Sequence, residues 1–140
     1  MGRQADDFEA IRYLVAKYNW HLDAGEVDDW VACFTEEGEF SCVGLPPNDP
    51  RGGIHKGHDA LRAYGKSHYA INQGRVRHWN WNLLIDVTGD RATLRCYMNA
   101  FGAGQAKSAE LRFTGFYRDT LQRTVEGWRF ASREVALDPA

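Results

Sequence analysis

The stretch Arg77-His78-Trp79-Asn80-Trp81-Asn82-Leu83-Leu84-Ile85 alternates polar and aromatic residues before turning apolar. At the two-residue period of a β-strand, it sets His78, Asn80, Asn82 and Leu84 on one sheet face and Trp79, Trp81, Leu83 and Ile85 on the other. A strand this apolar on one side and neatly polar on the other is expected to be covered on both, with His78 lining a cavity rather than meeting bulk water.

Upstream of this strand the chain is helical. Phe8, Ile11, Val15, Tyr18 and Leu22 recur at steps of three and four, which predicts an amphipathic helix from Asp6, capped by Asp6 and Asp7 and ended at Ala24-Gly25. A second short helix is expected over Glu26 to Phe34, with Val27, Trp30 and Phe34 on one face. A polar turn at Thr35 to Gly38 and a strand over Glu39 to Val43 follow. Gly44 to Gly53 holds three prolines and three glycines in ten residues, too many breakers for a regular element, and reads as a candidate lid. A third helix over Gly57 to Gln73 presents Leu61, Tyr64, His68 and Ile71. Downstream of it, turn signals at Gly89-Asp90, Gly102 to Gly104 and Glu126-Gly127 divide the chain into four long strands of a meander. Helices first and an antiparallel sheet afterwards predict an α+β domain occupying 1-140 as a single unit.

The chain's 140 residues suffice for one core that buries roughly two thirds of the unfolded surface. A formal net charge of −2 with no Lys/Arg cluster argues against a nucleic-acid partner. No apolar run is long enough for a membrane span, and Met1 to Asp7 carries no signal-like apolar region. Cys33, Cys42 and Cys96 are odd in number and lack Cys-x-x-Cys spacing, which argues for packing residues in a reducing compartment. The expectation is a cytoplasmic protein.

Two side chains of the first helix suggest chemistry. Asp23 falls in the last turn, where the negative end of the helix dipole disfavours a carboxylate, a setting that suits a general base. Tyr18 stands five residues earlier, about 140° away around the axis, so the two can border one cavity without sharing a face. The spacing is equally compatible with a solvated helix-end aspartate and a core tyrosine.

Tyr18-x4-Asp23, Asp28-Asp29-Trp30 to Phe34, Gly57-His58-Asp59-Ala60, Arg77-His78-x3-Asn82, Gly89-Asp90-Arg91-Ala92 and Phe116-Tyr117-Arg118-Asp119 to Gly127-Trp128-Arg129 follow one another along nearly the whole chain. In this order they resemble the SnoaL-like branch of the NTF2-like superfamily, with scytalone dehydratase, bile acid 7α-dehydratase and hexachlorocyclohexane dehydrochlorinase. The resemblance implies a cone: a curved, mostly antiparallel sheet wrapped around helices, with an apolar pocket. It also implies a pair between helix-end Asp23 and strand His78, a tyrosine donor at Tyr18 and a last-strand arginine at Arg133. The further tyrosines and second histidine of scytalone dehydratase have no match here, since Phe40 stands where a first-strand tyrosine would be.

Residues of these types make a cofactor-independent lyase. His78 would remove a proton from carbon next to a carbonyl, Asp23 would stabilise the imidazolium, and Tyr18 would donate to the developing oxyanion. Asn82 and Arg133 are expected to add polar contacts, and Trp20 and Phe40 apolar surface, for an apolar cyclic small molecule. Loss of water gives a dehydratase acting on a hydroxylated cyclic ketone of polyketide or steroid type. Return of the proton elsewhere gives an isomerase or cyclase, and a non-catalytic binding or scaffold protein is the reading from another class. No metal is expected, because His55-x-x-His58 has no third ligand at suitable spacing. Gly102-x-Gly104 lacks the third glycine of a dinucleotide loop. The outward row Trp79, Trp81 and Ile85 predicts a homo-oligomer, dimer or trimer.

Overall fold

The computed structural model of the chain describes residues 2–104 and 107–139. Three helices and six strands run in the order α1 (Gly2–Ala24), α2 (Val27–Val31), β1 (Phe34–Val43), β2 (Gly53–Lys56), α3 (Gly57–Asn72), β3 (Val76–Thr88), β4 (Arg91–Gly102), β5 (Glu110–Thr124) and β6 (Gly127–Leu137). The strands make one sheet of order β2-β1-β6-β5-β4-β3. The β3 to β6 meander is antiparallel throughout, whereas β1 joins β6 in parallel. The sheet curves without closing, and the helices fill its concave side.

α1 buries Ile11, Leu14, Val15, Tyr18 and Leu22, the stripe its periodicity predicts. It starts earlier than expected, and Asp7 does not cap it. Buried Asp7 instead accepts hydrogen bonds from Arg123 Nη1 (2.7 Å), Arg123 Nη2 (2.9 Å) and Trp128 Nε1 (3.0 Å), tying the helix start to the β5–β6 hairpin. The C-terminus is a Schellman turn: Glu26 N–H donates to His21 C=O (2.9 Å) and Gly25 N–H to Leu22 C=O (3.3 Å). Gly25 has φ +75°, and a Cβ there would come within 2.5 Å of the Tyr69 ring, so this corner requires glycine twice over.

The expected helix to Phe34 ends at Val31, because Phe34 opens β1 in register with Phe130. Thr35 to Gly38, expected as a turn, belongs to that strand, and the pairing with β6 slips between Phe34 and Glu39 to accommodate it. β2 was hidden at the end of the breaker-rich loop, and it pairs with β1 from Glu39↔Lys56 to Cys42↔Gly53.

The decisive departure lies in β3. Trp81 pairs with Tyr97 and Leu84 with Arg95, so Asn82 and Leu83 together oppose Cys96, a β-bulge with Asn82 at φ +54°. The extra residue reverses the alternation. His78 and Asn80 face inward before the bulge, whereas Leu83, Ile85 and Val87 do so after it; Asn82 and Leu84 are exposed. The core beneath the sheet is strongly aromatic, with Tyr18 packed on Trp30, Phe34, Tyr117 and Phe130 at ring separations of 5.6 to 6.4 Å. Among the described residues, no helix is long and apolar enough to cross a membrane.

Candidate active site

Three elements converge where α1 ends. Asp23, on the last turn of α1, meets His78 near the start of β3: His78 Nδ1 lies 2.5 Å from Asp23 Oδ1, and His78 backbone N–H donates to Asp23 Oδ2 at 3.0 Å. Both carboxylate oxygens are thus engaged by one residue, which fixes the imidazole orientation. A proton on Nδ1 leaves Nε2 as the nitrogen with a free lone pair. The pair is largely buried, with side chains 11% and 12% exposed.

His78 borders an interior cavity of about 60 Å³, together with Tyr18, Phe40, Tyr64, His68 and Tyr117. Leu45 and Arg51, from the breaker-rich loop, close its rim. That loop is held by a local clamp in which Asp49 accepts from Arg51 Nη2 (2.6 Å), Nε (2.9 Å) and backbone N–H (2.9 Å). The Arg51 hydrogen bonds hold the Asp49 carboxyl down at about 2. Tyr18 is fully buried, its hydroxyl lacks a protein partner, and burial raises its pKa well above the ordinary phenol range. It is a donor and not a base at any physiological pH.

A shallower groove of about 620 Å³ between α1 and β3 reaches Asp23 and His78 from outside. Trp20 lies there, 77% exposed, and does not join Phe40 in the cavity. The groove is larger, but Tyr18 is absent from its lining. His78 and Tyr18 share a wall in the cavity and not in the groove.

Two expected contacts are placed elsewhere. Asn82, turned outward by the bulge, lines an outer-face depression with Tyr97 and Phe116. Period-two alternation fails there because the bulge inserts one residue. Arg133 is 1% exposed and lies behind the cavity wall, its guanidinium 3.6 Å from the Tyr117 ring centroid and 4.3 Å from that of Tyr18. Its Nη2 donates to Asn80 Oδ1 at 3.0 Å, and its Nε stands 3.3 Å from Asp119 Oδ1. Burial, the largest influence, works against the Arg133 cation, yet Asp119 together with Tyr117, Tyr18 and Cys96 more than offsets it, and the Arg133 pKa lies above the usual value. Burial pushes the Asp119 carboxyl up to about 7, against the pull of Arg133. Asn80 Oδ1 also accepts from Asn19 Nδ2 at 3.1 Å, linking α1, β3 and β6. Because Arg133 only donates, Asn80 must present its oxygen, which fixes the amide orientation.

Asn80, Asn19 and His68 escaped the sequence-derived site. Asn80 carried a signal, its alternation with His78, and His68 another, a polar residue one turn after Tyr64 on the buried face of α3. Asn19 carried none.

His55 and His58 do not converge on a metal: His55 Nε2 lies 3.1 Å from Gly52 C=O and His58 Nε2 3.3 Å from Phe34 C=O. Among the described residues, His21, Glu26 and Asp29 bring potential ligand atoms within 4.8 Å of one another on the α1–α2 corner, where both carboxylates are exposed. All three cysteines are free, and burial raises each thiol to about 11.

The family described as SnoaL-like domain matches residues 3–134. An NTF2-like protein with a cystatin-like fold from Novosphingobium aromaticivorans is similar at 30% identity and TM-score 0.83, over 96% of this chain and 84% of that one. The Rv3472 protein of Mycobacterium tuberculosis, of unknown function, is similar at 30% identity and TM-score 0.85, over 98% and 75%. A second N. aromaticivorans protein, named as a candidate scytalone dehydratase, has 25% identity and TM-score 0.79 over 96% and 86%. No curated protein matches the chain.

Proposed function

The chain belongs to the SnoaL-like domain family, and we propose that it is a cofactor-independent dehydratase acting on a hydroxylated cyclic ketone of polyketide or steroid type. Members of this family are often cyclases, isomerases or dehydratases, which supports an enzyme that processes small molecules. The observation that carries the reading is the Asp23–His78 pair, with Nδ1 engaged by the carboxylate and the ring on the cavity wall.

In this scheme His78 Nε2 takes the proton from carbon next to the substrate carbonyl, and Asp23 stabilises the resulting imidazolium. The electron pair of the broken C–H bond moves toward the carbonyl to give an enolate, whose oxygen receives a hydrogen bond from Tyr18. Collapse of the enolate forms the C=C bond and expels hydroxide from the neighbouring carbon. His78 returns its proton to that oxygen, so water leaves and the enzyme is unchanged. At about 60 Å³ the cavity is too small for a ring compound as it stands. In this reading a ring enters as the Leu45 to Arg51 segment, whose end residues line the cavity, swings aside as a lid.

Mass spectrometry of wild type and His78→Ala with a panel of hydroxy-ketones in deuterated water tests the reading. A product 18 Da lighter, formed by wild type alone, is the expected result. Deuterium uptake without mass loss would replace dehydration by isomerisation or cyclisation, and binding without either would replace catalysis by ligand carriage.

The proposal extends to a homo-oligomer joined through the outer sheet face. Trp79 and Trp81 are 49% and 45% exposed there, and Tyr97 and Leu84 are exposed beside them. Ile85, expected in that row, faces inward after the bulge. Sedimentation equilibrium should give an oligomer for wild type and a monomer for Trp81→Glu.

A further inference from the structure

The cavity wall holds a second imidazole that the scheme above leaves idle. His68 on α3 is 5% exposed, its ring lies 5.4 Å from that of His78 and 5.9 Å from that of Tyr64, and its Nδ1 makes no hydrogen bond. A buried, unpaired imidazole nitrogen weighs against folding unless a ligand completes it. Burial first, and the His78 charge second, lower the His68 pKa to about 3. The ring therefore stays uncharged while its neighbour gains and loses a proton, offering one N–H and one lone pair.

The rest of the wall offers little net charge. Of the residues lining the cavity, Arg51 is the one permanent ion, and the Asp49 clamp already neutralises it. Burial raises the Tyr18, Tyr64 and Tyr117 hydroxyls, so they remain phenols. Asp23 stands behind His78 and is matched by it. A carboxylate entering this cavity would lose its hydration and meet no unpartnered cation, since Arg133 behind the Tyr18 and Tyr117 rings already faces Asp119; an uncharged ketone escapes this penalty.

We propose that His68 is a substrate-contacting residue, bonding a ligand oxygen beside His78, and that the cavity takes uncharged oxygenated ring compounds and rejects carboxylates of similar shape. The inference rests on the cavity being the ligand site, and it names the chemistry of what fills that site.

The test uses 1-tetralone as an uncharged ketone and 1-naphthoate as an anion of similar outline. With 15N-labelled histidine, 1-tetralone should shift the His68 ring nitrogens of wild type. His68→Phe should weaken 1-tetralone binding roughly 3- to 10-fold, the share of one uncharged hydrogen bond, and His68→Gln should restore part of it. 1-Naphthoate should bind at least about tenfold more weakly than 1-tetralone. Thermal denaturation confirms that the variants fold; if His68→Phe does not, the wild-type spectra and His68→Gln decide. An unmoved His68 signal, unchanged affinity in both variants, equal affinity for 1-naphthoate, or no 1-tetralone binding up to millimolar concentration would overturn the proposal. Turnover lost in His78→Ala while His68 stays silent would refute this inference and leave the elimination scheme standing. His68 shifts without turnover of any hydroxy-ketone would do the reverse.

Discussion

Two acid–base pairs cross the interior of this protein, and they differ in how their charges are satisfied. Asp23 and His78 meet at the cavity wall, bonded to each other twice and slightly exposed. Asp119 on β5 and Arg133 on β6 pair two and three strands away in the same sheet, with side chains 0% exposed, 3.3 Å apart, and with neither Asp119 oxygen in a hydrogen bond. The first pair contains a group that can gain and lose a proton beside a cavity. The second contains a permanent cation enclosed by the rings of Tyr18, Tyr117 and Phe130, and its carboxylate does not line the cavity. Buried ion pairs of the second kind do little for stability as a unit but are costly to break. The proposed chemistry is therefore assigned to the first pair, and the second stands behind the cavity wall.

That distinction fails if the two pairs respond alike to mutation. His78→Ala should lower turnover by roughly 10²- to 10⁴-fold, the usual contribution of a positioned general base, with the melting temperature little changed. A comparable loss of stability would merge the two classes. Asp119→Ala, by contrast, should cost about 3–5 kcal/mol in urea denaturation at pH 8, because it strands a buried guanidinium. Adding Arg133→Met should recover most of it, and failure to recover would mean that the cation does more than fill space.

The pH dependence sharpens the contrast. The Asp119 carboxyl is raised from 3.8 to about 7 by burial, so the folded state binds its proton more tightly than the unfolded state. The stability that comes from this tighter proton binding is fully present below about pH 4 and is lost as pH rises through about 7, where the ionised carboxylate still partners Arg133. Denaturation midpoints of wild type should fall across that window relative to Asp119→Asn, in which the slope disappears.

Asn80 couples the pairs, since its oxygen accepts from Arg133 and Asn19 two residues along β3 from His78. Asn80→Ala should cost about 1–3 kcal/mol, with a smaller fall in turnover than His78→Ala, measured on the same preparations. The smallest effect is expected at Asn82→Gly, which suits the positive φ and faces away from the cavity. Stability should change by less than about 1 kcal/mol, and turnover not at all. A loss of activity there would restore Asn82 to the site and undo the inward-outward assignment.

Much of this was legible before folding, though unevenly. The stripe of α1, the Gly25 stop and the four-strand meander follow from local rules, because a 3.6-residue apolar period and a left-handed glycine carry their own geometry. His78 and Asn80 on one inner face follow from alternation. The reversal at Asn82 and Leu83 did not, because a bulge is set by how β3 pairs with β4, and asparagine only permits the backbone that it needs. Phe34 likewise reads as helix until its pairing with Phe130 draws it into β1. His68 was visible as a polar residue on an apolar helix face, but whether such a residue is buried depends on what packs against it.

By itself, then, the sequence determined the α+β order of elements, the helix-end position of Asp23 and the inward position of His78, since each rests on contacts within a few residues. Only the tertiary structure decided that Arg133 stands behind the cavity, that Trp20 and Phe40 serve different hollows, and that His68 joins His78. Those are distances between residues far apart in the chain. They are settled by sheet curvature, strand register and close packing, which no local pattern encodes.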